Sequence, residues 1–246
     1  MKVLVIGESC LDVYQYGVSN RLCPEAPVPV FNSNGSQTSN GGMAQNVYNN
    51  MVALCPNASI DIVTNDNWEQ ITKTRYVDER TNYIILRIDK NEDSYNKENL
   101  HKINFTKYDV VVISDYNKGF LSEHDIDYIS SRAATTFLDT KKILGPWCNG
   151  VTFIKINDVE YERTKHKLTK SMTDKMIITT GPEGCLYQGE RYPVSKVEIK
   201  DTSGAGDTFI AALAVEYAKS RQMSVAIKFA NHCATAVVQK RGVSVA

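Results

Sequence analysis

The 246-residue sequence contains no C-x-x-C pair, and its six cysteines, at 10, 23, 55, 148, 185 and 233, show no metal-like spacing with the four histidines. That excludes the common zinc frames and a disulfide-stapled secreted scaffold, and leaves reduced thiols in a cytoplasmic protein as the simplest reading. Long hydrophobic runs are missing as well, so no membrane span is expected. The short apolar run of MKVLVIGESCLD meets an acid almost at once, with no cleavage region behind it, so no signal peptide is expected either. Charge of one sign is also lacking. Twenty-eight Lys and Arg balance 28 Asp and Glu, so no overall field draws nucleic acid or an anionic membrane, and a small-molecule partner is the expectation. Neither G-x-x-x-x-G-K-[ST] nor G-x-G-x-x-G occurs, so a nucleotide would have to be held without a P-loop or a Rossmann turn. No repeat, low-complexity tract or linker divides the chain, and its length suits one α/β domain over residues 1–246.

What is present alternates. KVLVIG reads as a strand buried on both faces, and YDVVVISD, TTFLD, GVTFIKI and KMIITTG continue the pattern with helical segments between them, which predicts a layered α/β sheet. A helix is expected from about Met43 to Leu54, two more at roughly 205–219 and 223–239, and ERYPVSKVEIK is read as a strand. Residues near 13–32 and 73–89 differ. They alternate polar and apolar, and Pro27 and Pro29 suit only an edge, so these segments are expected to form a small separate sheet.

The stretch DTSGAGDTF, residues 201–209, stands just before the apolar run IAALAVEYA. If Gly204 opens a helix, the N–H groups of Ala205, Gly206 and Asp207 are unpaired at the positive end of the dipole, and glycines let an anion approach them. Asp207 beside such donors can take a proton from a hydroxyl while the donors neutralise the group under attack, the pairing that phosphoryl transfer to an alcohol requires. A capping turn with Ser203 or Asp201 is the plainer alternative.

DTSGAGDTF resembles the signature of the PfkB/ribokinase family of carbohydrate kinases at every fixed position. The resemblance implies a three-layer α/β/α sandwich with a β lid, ATP and magnesium as cofactors, Asp207 as catalytic base, and Gly204, Ala205 and Gly206 as the anion hole for the γ-phosphate. Further stretches follow in the family's order. GESCLD places Asp12, and NGGMAQN places Gly41, Gly42 and Asn46, against the sugar. INDVE resembles N-x-x-E, implying that Asn157 and Glu160 organise magnesium and phosphates through water. TTGPEG implies a nucleotide role for Thr180, Gly181 and Gly184, FANHCATA one for Asn231, and LDTKK one for Lys141. The family also suggests a monovalent cation, potassium, near Asp201 and Thr202.

Within the family, RLCPEAPVPVF, SDYNKG and TKTRYVDERTNYIILRID are similar to the branch that phosphorylates the anomeric hydroxyl of D-glycero-β-D-manno-heptose 7-phosphate. That likeness implies Lys118, Arg75 and Arg87 as cations for the sugar's phosphate, and a homodimer through the lid. Each residue also has a plainer role: Asp12 and the glycines as turn formers, Asn157 and Glu160 as a capping box, the three cations and Lys141 as solvated charge. Two departures stand out. One α/β unit of the relatives is missing between SIDIVTND and TKTRYVDE, and the final helix of the relatives is not expected after RGVSVA. No H-x-G-H motif for nucleotidyl transfer occurs, so only a kinase step is expected. A different acceptor (ribose, fructose, another sugar monophosphate or a nucleoside) and a catalytically impaired sugar-phosphate-binding relic remain the alternatives.

Overall fold

The computed structural model describes residues 1–240, 242 and 245. The chain runs β1 (Lys2–Gly7), β2 (Ser9–Leu22), β3 (Pro29–Met43), α1 (Ala44–Leu54), β4 (Ser59–Val63), β5 (Thr72–Asp78), β6 (Ile84–Lys90), β7 (Val110–Asp115), α2 (Glu123–Ser130) and β8 (Thr136–Thr140). It continues with β9 (Phe153–Asn157), α3 (Asp158–Thr164), α4 (Lys170–Thr173), β10 (Met176–Thr179), β11 (Cys185–Tyr187), β12 (Glu190–Tyr192), α5 (Ala205–Ser220) and α6 (Met223–Val237).

Eight strands form the main sheet in the order β12-β11-β10-β9-β8-β7-β1-β4, parallel from β10 to β4 and antiparallel at β10-β11-β12. β1 shows why a central strand reads as an unbroken apolar run. Val3 and Val5 pack into the layer of α1, α5 and α6, Leu4 and Ile6 into the opposite layer with α2, and all four are fully buried. The result is a three-layer α/β/α sandwich. α5 is its central helix: every residue from Asp207 to Val215 is buried, because α1 and α6 flank it and the sheet lies beneath. Among the described residues no helix is long and apolar enough to cross a membrane.

The second sheet is the lid, ordered β3-β2-β5-β6, with β2 and β5 parallel. It is larger than the sequence pattern implies. The polar tract 32–40 lacks the alternation of a strand, yet it pairs along β2, with Asp12 opposite Asn40 and Tyr14 opposite Thr38. An edge strand exposed to water has no apolar face to declare itself. Gly41 and Gly42 therefore end a strand rather than form a tight turn. Pro29 opens β3 at the sheet edge, as its missing N–H demands. ERYPVSKVEIK also departs from expectation: only Glu190–Tyr192 is strand. Pro193 stops the ladder, and residues 194–197 with Ile199 instead wall a cleft.

Candidate active site

Open α/β sheets bind ligands beyond the carboxyl ends of their parallel strands. Here β8 brings Asp139 and, just past its end, Lys141; β9 brings Lys155 and Asn157; β7 leads into Tyr116 and Lys118. With the start of α5 they enclose a cleft of about 760 Å³, walled by Asp139, Lys141, Lys155, Asn157, Gly206 and Asp207 among others.

α5 opens without a side-chain cap. Gly204 takes φ 78°, a left-handed turn suited to glycine, and swings the chain into the helix. The Ala205 N–H donates to the Thr202 carbonyl at 3.2 Å, and the Thr208 N–H to the Gly204 carbonyl at 2.9 Å. The free donors here are thus not the trio of Gly204, Ala205 and Gly206 that the resemblance implies as an anion hole. Among the described residues, the N–H groups of Gly206 and Asp207 are the ones left without an acceptor in this turn.

Asp207 is 6% exposed. One carboxylate oxygen accepts from Asn46 Nδ2 at 2.9 Å and the other from the Tyr116 hydroxyl at 2.7 Å. Burial pushes its pKa up to about 6, against the pull of these two donors. Burial, reinforced by the Asp207 charge, pushes Tyr116 well above the usual tyrosine range, so it remains a neutral donor. Asn46 is itself oriented: Asn50, one turn on along α1, donates to its side-chain oxygen at 3.1 Å and accepts from the Thr208 hydroxyl at 3.0 Å. A chain of polar groups between α1 and α5 thereby fixes which end of the Asn46 amide faces the carboxylate.

Away from the cleft, the lid supplies charge. Asp12 and Arg75 form an ion pair, and Arg75 lies over the Tyr14 ring at 5.1 Å. A Cβ on Gly42 would stand 2.3 Å from the Asp12 carboxylate, so a larger residue there would displace that side chain. Gly41 is equally tight against Gln45. Arg75 and Arg87 are opposite each other in the β5–β6 ladder, and Arg87 grips Asp89 with both Nε and a terminal nitrogen. Lys118 pairs with Glu92 at 2.9 Å, and Lys73 pairs with the other oxygen of the same carboxylate. Glu8 holds this edge in place by accepting the N–H groups of Tyr116 and Lys118, each at 2.9 Å.

At the other end of the cleft, Asn157 caps α3 and closes a reciprocal box with Glu160, whose second oxygen pairs with Lys141. The capping role is thus real, and Asn157 still faces the cleft. Gly181 and Gly184 line it. Thr180 does not reach it; its hydroxyl and N–H both go to the Gly184 carbonyl, at 3.1 and 2.8 Å. Gly184 is obligatory, because φ is 87° and a Cβ would meet the Tyr192 carbonyl oxygen at 2.0 Å. Asn231, also at the cleft, donates to that same carbonyl at 2.9 Å and so ties α6 to the β12 end. Thr202 lines the cleft, whereas both Asp201 oxygens already accept backbone N–H groups, from Ser203 at 2.8 Å and Gly242 at 3.1 Å.

Residues 149–246 match the model of the pfkB family of carbohydrate kinases. That match takes in under half of the chain. The chain is similar along its whole length to a protein named bifunctional protein HldE of Helicobacter pylori strain J99, with 30% identity over 298 positions, and to that of Nitratiruptor sp., with 29% over 292. It spans 64% and 63% of those two proteins, a little under two thirds of each. Both alignments run longer than the 246 residues here, so the relatives carry segments that this chain lacks. The fold matches the ribokinase of Thermotoga maritima with a TM-score of 0.74 at 16% identity, over 98% of this chain and 94% of the other. It also matches an Arabidopsis thaliana ribokinase solved with ribose and ATP, at TM-score 0.68 and 14% identity, over 98% and 93%.

Five residues of this candidate site escape sequence reading: Tyr116, Asp139, Lys155, Lys73 and Glu92. Asp139 and Lys155 did leave a signal, since each is a charge inside an otherwise apolar central strand, TFLDT and FIKIN. Such a residue is buried and must be paired. Nothing local marks Tyr116, because its partner is 91 residues away.

Proposed function

We propose that this chain is a single pfkB-family kinase domain with a β lid, and that it transfers the γ-phosphoryl group of ATP to the anomeric hydroxyl of D-glycero-D-manno-heptose 7-phosphate or a close analogue. The observation that carries the reading is Asp207: a buried carboxylate held by Asn46 and Tyr116, beside two unspent N–H donors, at the floor of a large cleft. The names of the relatives support the choice of acceptor, and so does the charge at the lid, where Lys73, Arg75, Arg87 and Lys118 face three acids, Asp12, Asp89 and Glu92. A phosphate monoester would take up the excess cation.

In this reading the acceptor hydroxyl lies against Asp207. As the acceptor oxygen bonds to the γ-phosphorus and the bond to the β-phosphate oxygen breaks, the hydroxyl proton passes to Asp207 and ADP leaves. The N–H groups of Gly206 and Asp207 carry the charge of the moving group, at the positive end of α5. Tyr116 and Asn46 position the carboxylate and keep it from turning away.

Magnesium is the divalent ion that ATP would bring. Among the described residues no group of three His, Cys, Asp or Glu could hold a bare ion, and the Asn157 and Glu160 oxygens are shared with the cap of α3 and with Lys141. That donor set fits a hydrated ion on the phosphates, reached by Asn157 and Glu160 through water. When bound, magnesium neutralises phosphate charge. A potassium ion near Asp201 and Thr202 would have to share the Asp201 oxygens with two N–H groups. Six unpaired cysteines fit a reducing, cytoplasmic setting. The apolar side chains Ile84 and Leu86 on the lid, 51% and 53% exposed, fit a lid-to-lid homodimer.

An ADP-release assay over a panel of acceptors tests the reading. Heptose 7-phosphate is expected to turn over fastest; faster turnover of unphosphorylated ribose or fructose would overturn the acceptor assignment, and no turnover with any acceptor would favour a binding relic. The pH profile is a further test. The base works ionised and its pKa is raised, so kcat/KM should rise as pH passes through about 6 and level off above it. A profile flat between pH 5 and pH 7 would show that Asp207 is not the titrating base.

A further inference from the structure

Lys155 is nearly inaccessible, with its side chain 4% exposed. A buried ammonium is costly unless its protons are accepted. A half-buried lysine in this molecule shows what a purely structural solution looks like: Lys175 Nζ donates to three carbonyls, those of Cys148, Asn149 and Val151, at 3.1, 2.8 and 2.7 Å. Lys155 has one partner, Asp139 Oδ2 at 2.7 Å. An ammonium has three protons, so two of them lack an acceptor among the described residues. The second oxygen of Asp139 is also buried and without a partner. The pair is therefore half satisfied, and both side chains line the cleft.

Its position is specific. A Cβ on Gly206 would stand 3.0 Å from Lys155 Nζ, so the ammonium rests against the first turn of α5, beside the two unspent N–H groups. Four donor protons, two from the backbone and two from Lys155, thus collect at one wall. An acceptor with several oxygens and negative charge satisfies them, and a terminal phosphoryl group has three. Lys141 is different in kind: its side chain is 34% exposed and it is tied to Glu160.

We propose that Lys155 is the fixed cation of the phosphoryl cradle, contacting the γ-phosphate of bound ATP directly, with Asp139 as its positioning residue. The inference rests on the ATP-dependent reading above and deepens it. It assigns the γ-phosphate, rather than the α- or β-phosphate, to this wall, because Gly206 and the base Asp207 are adjacent.

Calorimetric titration of the whole chain with ADP and with the non-hydrolysable analogue adenylyl imidodiphosphate, both with excess magnesium, tests this. Lys155→Met is expected to weaken binding of the analogue by about 10- to 100-fold, the loss of a charge-assisted hydrogen bond, and to leave ADP within about 2-fold. Because Lys155→Met strands a buried carboxylate, the double variant Lys155→Met with Asp139→Asn, which removes both charges, is measured beside it and should show the same selective loss. Equal losses for the two nucleotides in the double variant, or no loss for the analogue, would overturn the inference while leaving the kinase reading intact. A folded wild type that binds neither nucleotide overturns both.

Discussion

Asp207→Asn is expected to lower kcat by about 10²- to 10⁴-fold, the range for loss of a positioned general base, with acceptor and nucleotide binding largely kept. The substitution leaves the shape of the site alone. Asparagine is nearly isosteric, its side-chain oxygen can still accept from Tyr116 or Asn46, and the cradle donors of Gly206 and Asp207 belong to the backbone. What disappears is the lone pair that receives the hydroxyl proton. The same variant should be more stable than the wild type at neutral pH. Asp207 has its folded pKa raised to about 6, so below the unfolded carboxylate range both states hold the proton and the group is neutral in its effect. As pH rises toward about 6 the unfolded state ionises first, and above it the folded state carries a buried charge at a cost of a few kcal/mol. Thermal melts should therefore show wild-type stability falling between about pH 4 and pH 6, with that slope reduced in Asp207→Asn. A variant with full kcat would remove the base from the mechanism; one with low kcat and a collapsed melting temperature would make the loss structural.

The second large effect is expected at the lid. Lys73→Met combined with Lys118→Met should raise KM for the phosphorylated acceptor by about 10²-fold, with kcat within a few-fold of wild type and KM for ATP unchanged. Two lost charge-assisted hydrogen bonds could cost more, but Glu92 already occupies both ammonium groups and the acceptor phosphate has to compete with it. The corresponding unphosphorylated sugar is the control, because it has no group to meet these lysines. Its KM should scarcely move. If both sugars lose affinity equally, the lysines hold the lid rather than the phosphate; if neither does, the phosphate is read elsewhere or the acceptor carries none.

The extent to which the site was legible differs from residue to residue. Asp207 and its glycines are contiguous, and a helix start imposes its chemistry locally, so DTSGAGDTF declares both donors and base. Even there, the Ala205 N–H turned out to be spent on the Thr202 carbonyl, a detail of turn geometry that composition does not encode. Asn46 reads as a sugar contact in the motif, yet its amide faces Asp207, 161 positions on. Arg75 and Arg87 were visible as charges on an alternating hairpin, but Lys73 and the partners of these cations were not. Glu92 lies in an irregular segment with no periodicity, and it becomes part of the site because it lies between Lys73 of β5 and Lys118 beyond β7.

The layered α/β architecture, the buried strands and the helix that presents Asp207 are legible in the residues alone, because burial on two faces and helix-end chemistry act within a few residues and leave periodic traces. Which donors hold that carboxylate, which cations keep free protons and how far the lid extends along its polar edge emerge only when the chain is folded. Those depend on side chains brought together from strands and helices far apart in the chain, where a hydrogen bond of under 3 Å separates a partner from a bystander and no local pattern records the difference.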